Sequence, residues 1–243
     1  MGELNGVKSL ELLVLVDNTP GREELRSAWG LSILLKTDSY VGLFDTGPDP
    51  YTLQHNMDVL GIDPKSLSFI VISHDHWDHV GGLRYLAESG TRCNVFIPSS
   101  AIDLGEWLQR HGFIVTRVDS RTEVAQGTTV FLLGNFIDEL SMVVTVKNFG
   151  GVLLVGCSHP GIERIVETAH GIAKRLRVVI GGMHLLDASE DRLRKVVNTF
   201  EQYSIDEVYA IHCTGDVATE YFREKLPSYR VGFTGLVLRY GTC

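Results

Sequence analysis

The chain has 243 residues, 44% of them hydrophobic, enough for one large α/β domain or two tightly packed repeats with an ample core. Its 22 basic against 30 acidic residues give a net charge of −8, which argues against a general nucleic-acid binder and leaves room only for a local basic pocket. The cysteines (Cys93, Cys157, Cys213, Cys243) form no CxxC pair and are too sparse for a disulfide framework.

Met1 to Gly6 lacks the basic region of a signal peptide, and the apolar run 10–16 is too short to span a bilayer, so a soluble cytoplasmic protein is expected. Gly6 stands where a myristoylation signal needs Ser or Thr. Strands are predicted at 10–16, 31–36 and 40–44, the last ending in the turn Asp45-Thr46-Gly47. A helix follows at 51–60, with Leu53, Met57 and Leu60 at helical spacing and Gly61 as its stop. The apolar run 67–72 reads as a buried strand. Helix 83–89, strand 93–97 and helix 102–111 continue a βα rhythm. The centre changes character: strands at 113–118, 129–133, 141–147 and 151–155 have short connections, with Asn148-Phe149-Gly150-Gly151 as a hairpin turn. Helix 161–175, strand 178–180, helix 189–202, strand 207–211, helix 217–225 and strand 235–240 complete the chain. No linker, low-complexity segment or charged tail divides it, so a single domain over 1–243 is expected.

Between strand 67–72 and helix 83–89 lies Ser73-His74-Asp75-His76-Trp77-Asp78-His79. Imidazole and carboxylate suit borderline divalent cations, and a loop at the carboxyl end of a strand is where α/β folds place their chemistry. His74 and His76 are spaced to grip one ion, with Asp78 and His79 directed at a second a few ångströms away, as in two-metal hydrolytic sites. Three more histidines follow apolar strands: His159, His184 and His212. With the strands aligned, all of these loops meet at one edge. His55, His111 and His170 lie in helical segments and read as ordinary surface or core residues.

The run from His74 to His79 resembles the HxHxDH hallmark of the metallo-β-lactamase superfamily. Trp29-Gly30-Leu31-Ser32, Leu43-Phe44-Asp45-Thr46-Gly47, Gly156-Cys157-Ser158-His159-Pro160-Gly161, Gly181-Gly182-Met183-His184-Leu185 and His212-Cys213-Thr214-Gly215 resemble one branch of it. That branch includes the archaeal 7,8-dihydropterin-6-yl-methyl-4-(β-D-ribofuranosyl)aminobenzene-5′-phosphate synthase. The resemblance implies an αββα sandwich and two divalent metal ions, zinc foremost, with manganese or iron as alternatives. It implies that His159 completes a site with His74 and His76, and His212 one with Asp78 and His79. Cys157 stands where many members carry a bridging aspartate; a thiolate ligand and a small buried filler both remain open. His184 is a candidate to protonate the leaving group, or else a ligand or a phosphate-holding residue. Asp45 is expected to orient the ligand loop by hydrogen bonds. Trp29 replaces a histidine common in relatives, and Trp77 is a candidate pocket wall.

The implied function is a metal-dependent hydrolase that uses a metal-activated hydroxide on phosphoester or related bonds, lactones and phosphotriesters included, with Asp78 and His184 in catalytic roles. The alternatives are the pterin condensation of the branch and a non-hydrolytic metal-binding or redox protein. The expected partner is a small, phosphorylated substrate, without nucleic acid or membrane, and a homo-oligomer is left open. No GxxxxGKS/T loop is present, so ATP is not an expected substrate.

Overall fold

A computed structural model describes residues 6–242. The first half runs β1 (Ser9–Val16), β2 (Ser32–Thr37), β3 (Val41–Phe44), α1 (Pro50–Val59), β4 (Phe69–Val71), α2 (Trp77–Val80), α3 (Leu83–Glu88), β5 (Asn94–Pro98), α4 (Ile102–Arg110) and β6 (Ile114–Val118). The second runs β7 (Thr122–Ala125), β8 (Thr128–Leu133), β9 (Glu139–Val146), β10 (Gly150–Val155), α5 (Ile162–Ala173), β11 (Leu176–Gly182), α6 (Glu190–Gln202), β12 (Glu207–Ile211), α7 (Asp216–Lys225) and β13 (Val237–Gly241). One sheet has the order β13-β1-β2-β3-β4-β5-β6 and the other β12-β11-β10-β9-β8-β7.

Periodicity explains the layering. Along β1, Leu10, Leu12 and Val14 enter the core between the sheets, while Leu13 and Leu15 pack beneath Leu53 and Met57 of α1 and Leu83 of α3. The second sheet divides in the same way: Val152 and Leu154 of β10 face the first sheet, and Leu153 and Val155 face Ile165 of α5 and Val196 of α6. Strands covered on both faces read as near-continuous apolar runs, which is why their sequence signal is strong. The result is the expected αββα sandwich. The start of α1 follows its sequence: Asp49 caps it by accepting from the Tyr51 and Thr52 amides, and Pro50 opens its first turn.

Two expectations shift. The run 113–118 belongs not with the hairpins but to the first sheet, where α4 returns the chain so that β6 lies parallel to β5 at the edge. Strand β7 was not anticipated; its sequence Thr-Glu-Val-Ala is half-exposed edge strand with little apolar signal. The hairpin turn falls as expected, with Asn148 (φ 60°) and Gly150 (φ 132°) between β9 and β10. Among the described residues, no helix is long and apolar enough to cross a membrane.

Strands β3 to β6 are mutually parallel, as are β10 to β12. The carboxyl ends of β3, β4, β10, β11 and β12 carry Asp45, the 73–79 loop, 157–159, His184 and His212 respectively. Strand β9 runs antiparallel to β10, so its first residue, Glu139, arrives at the same edge.

Candidate metal centre

The 73–79 loop is fastened to the end of β3 by one buried carboxylate. Asp45 Oδ1 accepts from the Ser73 amide at 2.7 Å, and its Oδ2 accepts from Ser73 Oγ and from His79 Nδ1, each at 2.7 Å. With its own proton given to Asp45, Ser73 Oγ accepts from His74 Nδ1 at 2.9 Å. The single turn α2 then carries Asp78 and His79 inward, and the Thr46 amide and hydroxyl hold the His79 carbonyl at 2.8 and 2.9 Å. This turn lies so close to the β3–α1 loop that a Cβ on Gly81 would sit 1.9 Å from Pro48 O. Only glycine fits there, which gives the Gly pair after His79 a mechanical meaning.

The end of β10 is organised by a residue that sequence reasoning missed. Glu139, fully buried, accepts the amides of Cys157 and Ser158 on Oε1 at 2.9 and 2.8 Å, and the amide and Nδ1 of His159 on Oε2 at 2.9 and 2.8 Å. At the end of β12, Asp17 accepts from the His212 amide at 2.8 Å, and Asn18 Oδ1 accepts from His212 Nδ1 at 3.1 Å. Asp45, Ser158, His184 and His212 all take left-handed backbone angles (φ 56°, 62°, 50° and 52°). Such angles cost non-glycine residues of order 1 kcal/mol or more each and gather where function fixes the chain.

One consequence unites these contacts. Nδ1 of His74, His79, His159 and His212 each points at a protein oxygen, so the Nε2 atoms face inward with free lone pairs. Donor atoms of His74, His76 and His159 lie within 4.8 Å of one another, and so do those of Asp78, His79 and His212. The resemblance implies the same two groupings. Cys157 Sγ lies 3.3 Å from His79 Nε2 and clusters both with His74 and His79 and with His212 and Cys213. His212 Nε2 is buried without a hydrogen-bond partner, and His74 Nε2 and His76 Nδ1 approach to 3.1 Å. An orphaned buried nitrogen among convergent N, O and S donors fits a divalent cation pair well.

Known proteins share the fold. The metallo-beta-lactamase superfamily model matches residues 30–97. The chain is 27% identical to Tm1679, a metal-dependent hydrolase of the beta-lactamase superfamily, over 96% of this chain and 100% of that one, with a TM-score of 0.84. This is a metallo-β-lactamase-fold protein. It is also 25% identical to 7,8-dihydropterin-6-methyl-4-(beta-D-ribofuranosyl)-aminobenzene-5'-phosphate synthase of Methanocaldococcus jannaschii, over 90% of this chain and 92% of the relative. A diphosphatase of the PhnP family shares the fold at 18% identity and a TM-score of 0.66.

Electrostatics in the metallo-β-lactamase-type cleft suit cation binding. Burial and the neighbouring imidazoles depress the basicity of His74 and keep it neutral. Burial alone would raise the Asp78 carboxyl, but the close imidazoles of His212 and His79 bring it down to about 2. Contact with Cys213 and burial push the Cys157 thiol up, and a bound cation would reverse that.

His184 stands apart from the donor groups. It is exposed, its ring centroid 4.7 Å from that of His159. Trp29 donates from Nε1 to Asp78 Oδ2 at 3.1 Å and lies 5.4 Å from the His212 ring. Beside it a cleft of about 340 Å³ is lined by Trp29, Leu186, Thr214, Arg223 and Tyr229 among others. Trp77 is exposed on the same loop. A larger cavity of about 630 Å³ lies between α3 and α4, around Arg84, Trp107 and Arg110, and contains none of the clustered donors. His55, His111 and His170 also lie outside the donor clusters, with His111 stacked on Trp107.

Proposed function

We propose that this chain is a dinuclear metal-dependent hydrolase acting on phosphoester or related bonds. What carries the proposal is the convergence of the four Nε2 atoms, each backed by an engaged Nδ1, on a space shared with Asp78, His76 and Cys157. His74, His76 and His159 would hold one cation and Asp78, His79 and His212 the other, with zinc the first choice for such N, O and S donors. Paired divalent cations supply Lewis acidity and a hydroxide nucleophile near neutral pH.

The protein's own residues do the rest. Asp45 and Glu139 hold the ligating rings in one tautomer and orientation. Trp29 and Tyr229 wall the cleft beside His212, and Arg223 offers a polar contact to an anionic group of a small substrate. His184, exposed beside His159 and outside the donor groups, would donate a proton to the departing oxygen. The net charge of −8 favours a small phosphorylated molecule over nucleic acid, and we take the enzyme to act in the cytoplasm.

A second reading has a specific observation behind it. Similarity to the M. jannaschii synthase along 90% of the chain supports a condensation in pterin cofactor synthesis, in which the same centre would activate a pyrophosphate leaving group. One experiment separates the two. Purified protein is assayed for metal per chain and for turnover of bis-p-nitrophenyl phosphate, paraoxon and a simple lactone. Two metals per chain, with turnover abolished by chelator and by His76→Ala, are expected for a dinuclear hydrolase. Full metal loading without hydrolysis, together with pyrophosphate release from a dihydropterin pyrophosphate that requires a ribofuranosyl-aminobenzene phosphate as acceptor and yields the coupled product, would establish the condensation instead.

A further inference from the structure

Cys213 has no part in the two donor groups just described, yet its thiol opens into the same space. It follows His212 in a buried turn of 3₁₀ helix, Thr214 Oγ1 tying that turn to the Ile211 carbonyl at 2.7 Å. Cys213 is 3% exposed; its carbonyl accepts from the Leu185 amide at 3.2 Å, and its thiol makes a weak contact to the Cys157 carbonyl at 3.7 Å. Its sulfur, the sulfur of Cys157 and a ring nitrogen of His212 lie within 4.8 Å of one another. His212, 5% exposed, aims into this group an Nε2 that has no hydrogen-bond partner; Asp78 Oδ2 is 3.4 Å away, without hydrogen-bond geometry. Room for the thiol is made by Gly182, where a Cβ would stand 2.6 Å from Cys213 Sγ.

We propose that Cys213 is a metal ligand, so that the cation held by His212 sits in a thiolate-containing site. The proposal rests on the dinuclear reading above. Cys157 clusters with donors of both positions, whereas among the described residues Cys213 clusters with Cys157 and His212 alone. His212 has one free nitrogen, so a single cation must serve both groups containing it. That cation faces Asp78, His79, His212, Cys157 and Cys213, more donors than a tetrahedral ion needs. Two sulfurs in this set make it a soft site, selecting zinc, cobalt or cadmium over manganese and magnesium. On binding, each S–H bond breaks, a sulfur–metal bond forms, and the proton leaves to buffer.

Cobalt(II) is the probe. Apo protein is titrated while the visible bands of tetrahedral cobalt and the near-ultraviolet sulfur-to-cobalt charge-transfer band are followed. Wild type is expected to take up two ions and show both signals. Cys213→Ser and Cys213→Ala should keep the visible bands, which also verify folding, and lose about half of the charge-transfer intensity; Cys157→Ser/Cys213→Ser should lose all of it. A charge-transfer band unchanged in both Cys213 variants would overturn the proposal. Uptake of one ion or none by wild type would instead sink the dinuclear reading beneath it. If no Cys213 variant folds, ¹¹³Cd resonances of the loaded wild type decide: a cadmium bearing two sulfurs supports the assignment, and none with more than one overturns it.

Discussion

Asp45 Oδ2 and His79 Nδ1 are 2.7 Å apart, both side chains fully buried, and the same oxygen takes the proton of Ser73 Oγ, which in turn accepts from His74 Nδ1. One carboxylate therefore sets a histidine in each of the two donor groups. Asp45→Asn keeps the volume but turns an amide N–H₂ towards one of these donors, leaving at least one of them unpaired. Zinc affinity is expected to fall about 10–100-fold, the usual effect of removing a partner that orients metal-ligating histidines. Competition with a chromophoric chelator measures it. Unchanged affinity would mean that packing alone holds the rings.

Glu139 makes the same kind of prediction at the other sheet. Four N–H groups converge on its carboxylate, three from the backbone of 157–159 and one from His159. Glu139→Gln retains one acceptor oxygen and opposes the remaining donors with an N–H₂. Hydrogen bonds to a charged group contribute about 1.5–3 kcal/mol each, so losing the two on one oxygen should cost about 3–6 kcal/mol. Urea unfolding in the presence of chelator reads this cost without any contribution from bound metal. A change below about 1 kcal/mol would show that the loop is fixed by other contacts.

Much of this was legible in the sequence because the ligand loops follow strands buried on both faces. Such strands announce themselves as apolar runs, and a His after each run has few structural uses. His74, His76 and His159 lie in one donor cluster and Asp78, His79 and His212 in another, a division implied by the resemblance and not by the strand pattern, and Asp45 hydrogen-bonds the ligand loop as expected. Glu139 was missed because it opens a strand otherwise taken to begin at Ser141, where a lone acidic residue looks like the end of a loop. Asp17 and Asn18 follow an apolar strand just as the histidines do, and that pattern could have flagged them. Which sheet strand 113–118 joins was hidden because a parallel edge strand and a hairpin strand share the same alternation. Cys213 was noted only as a neighbour of His212; its nearness to Cys157 depends on how β10 and β12 flank β11, which no local pattern encodes.

Gly81 offers a way to disturb one donor group while sparing the other. A Cβ at this position would meet Pro48 O at 1.9 Å and Pro48 C at 2.2 Å, backbone atoms with no freedom to withdraw. Gly81→Ala must displace α2, which carries Asp78 and His79 and is joined at its first turn to His76, whereas His74 is held by Ser73 upstream of it and His159 by Glu139 beyond β10. Overpacking of this kind costs about 1–3 kcal/mol. The variant is expected to bind one metal per chain where wild type binds two, as read by elemental analysis after gel filtration. Retention of two metals at full affinity would show that α2 can shift without moving its ligands.

Trp29 tests how the cleft wall and the metal centre are linked. Its indole N–H donates to the Asp78 oxygen that faces His79 and His212, and its ring closes one side of the cleft. Trp29→Phe preserves an aromatic wall and removes the donor, freeing the Asp78 carboxylate to rotate away. Because the side chain is 44% exposed, the lower end of the range for a charge-assisted hydrogen bond applies, about 1.5 kcal/mol, or roughly tenfold. The expected result is a tenfold weaker second cation, an unaltered first cation and an unchanged KM once metal is saturating. Trp29→Ala should show the same metal defect and also a raised KM, since it removes the wall. Were Trp29→Phe to raise KM with metal affinity intact, the indole N–H would be a substrate contact and Asp78 would be held by its histidine neighbours alone.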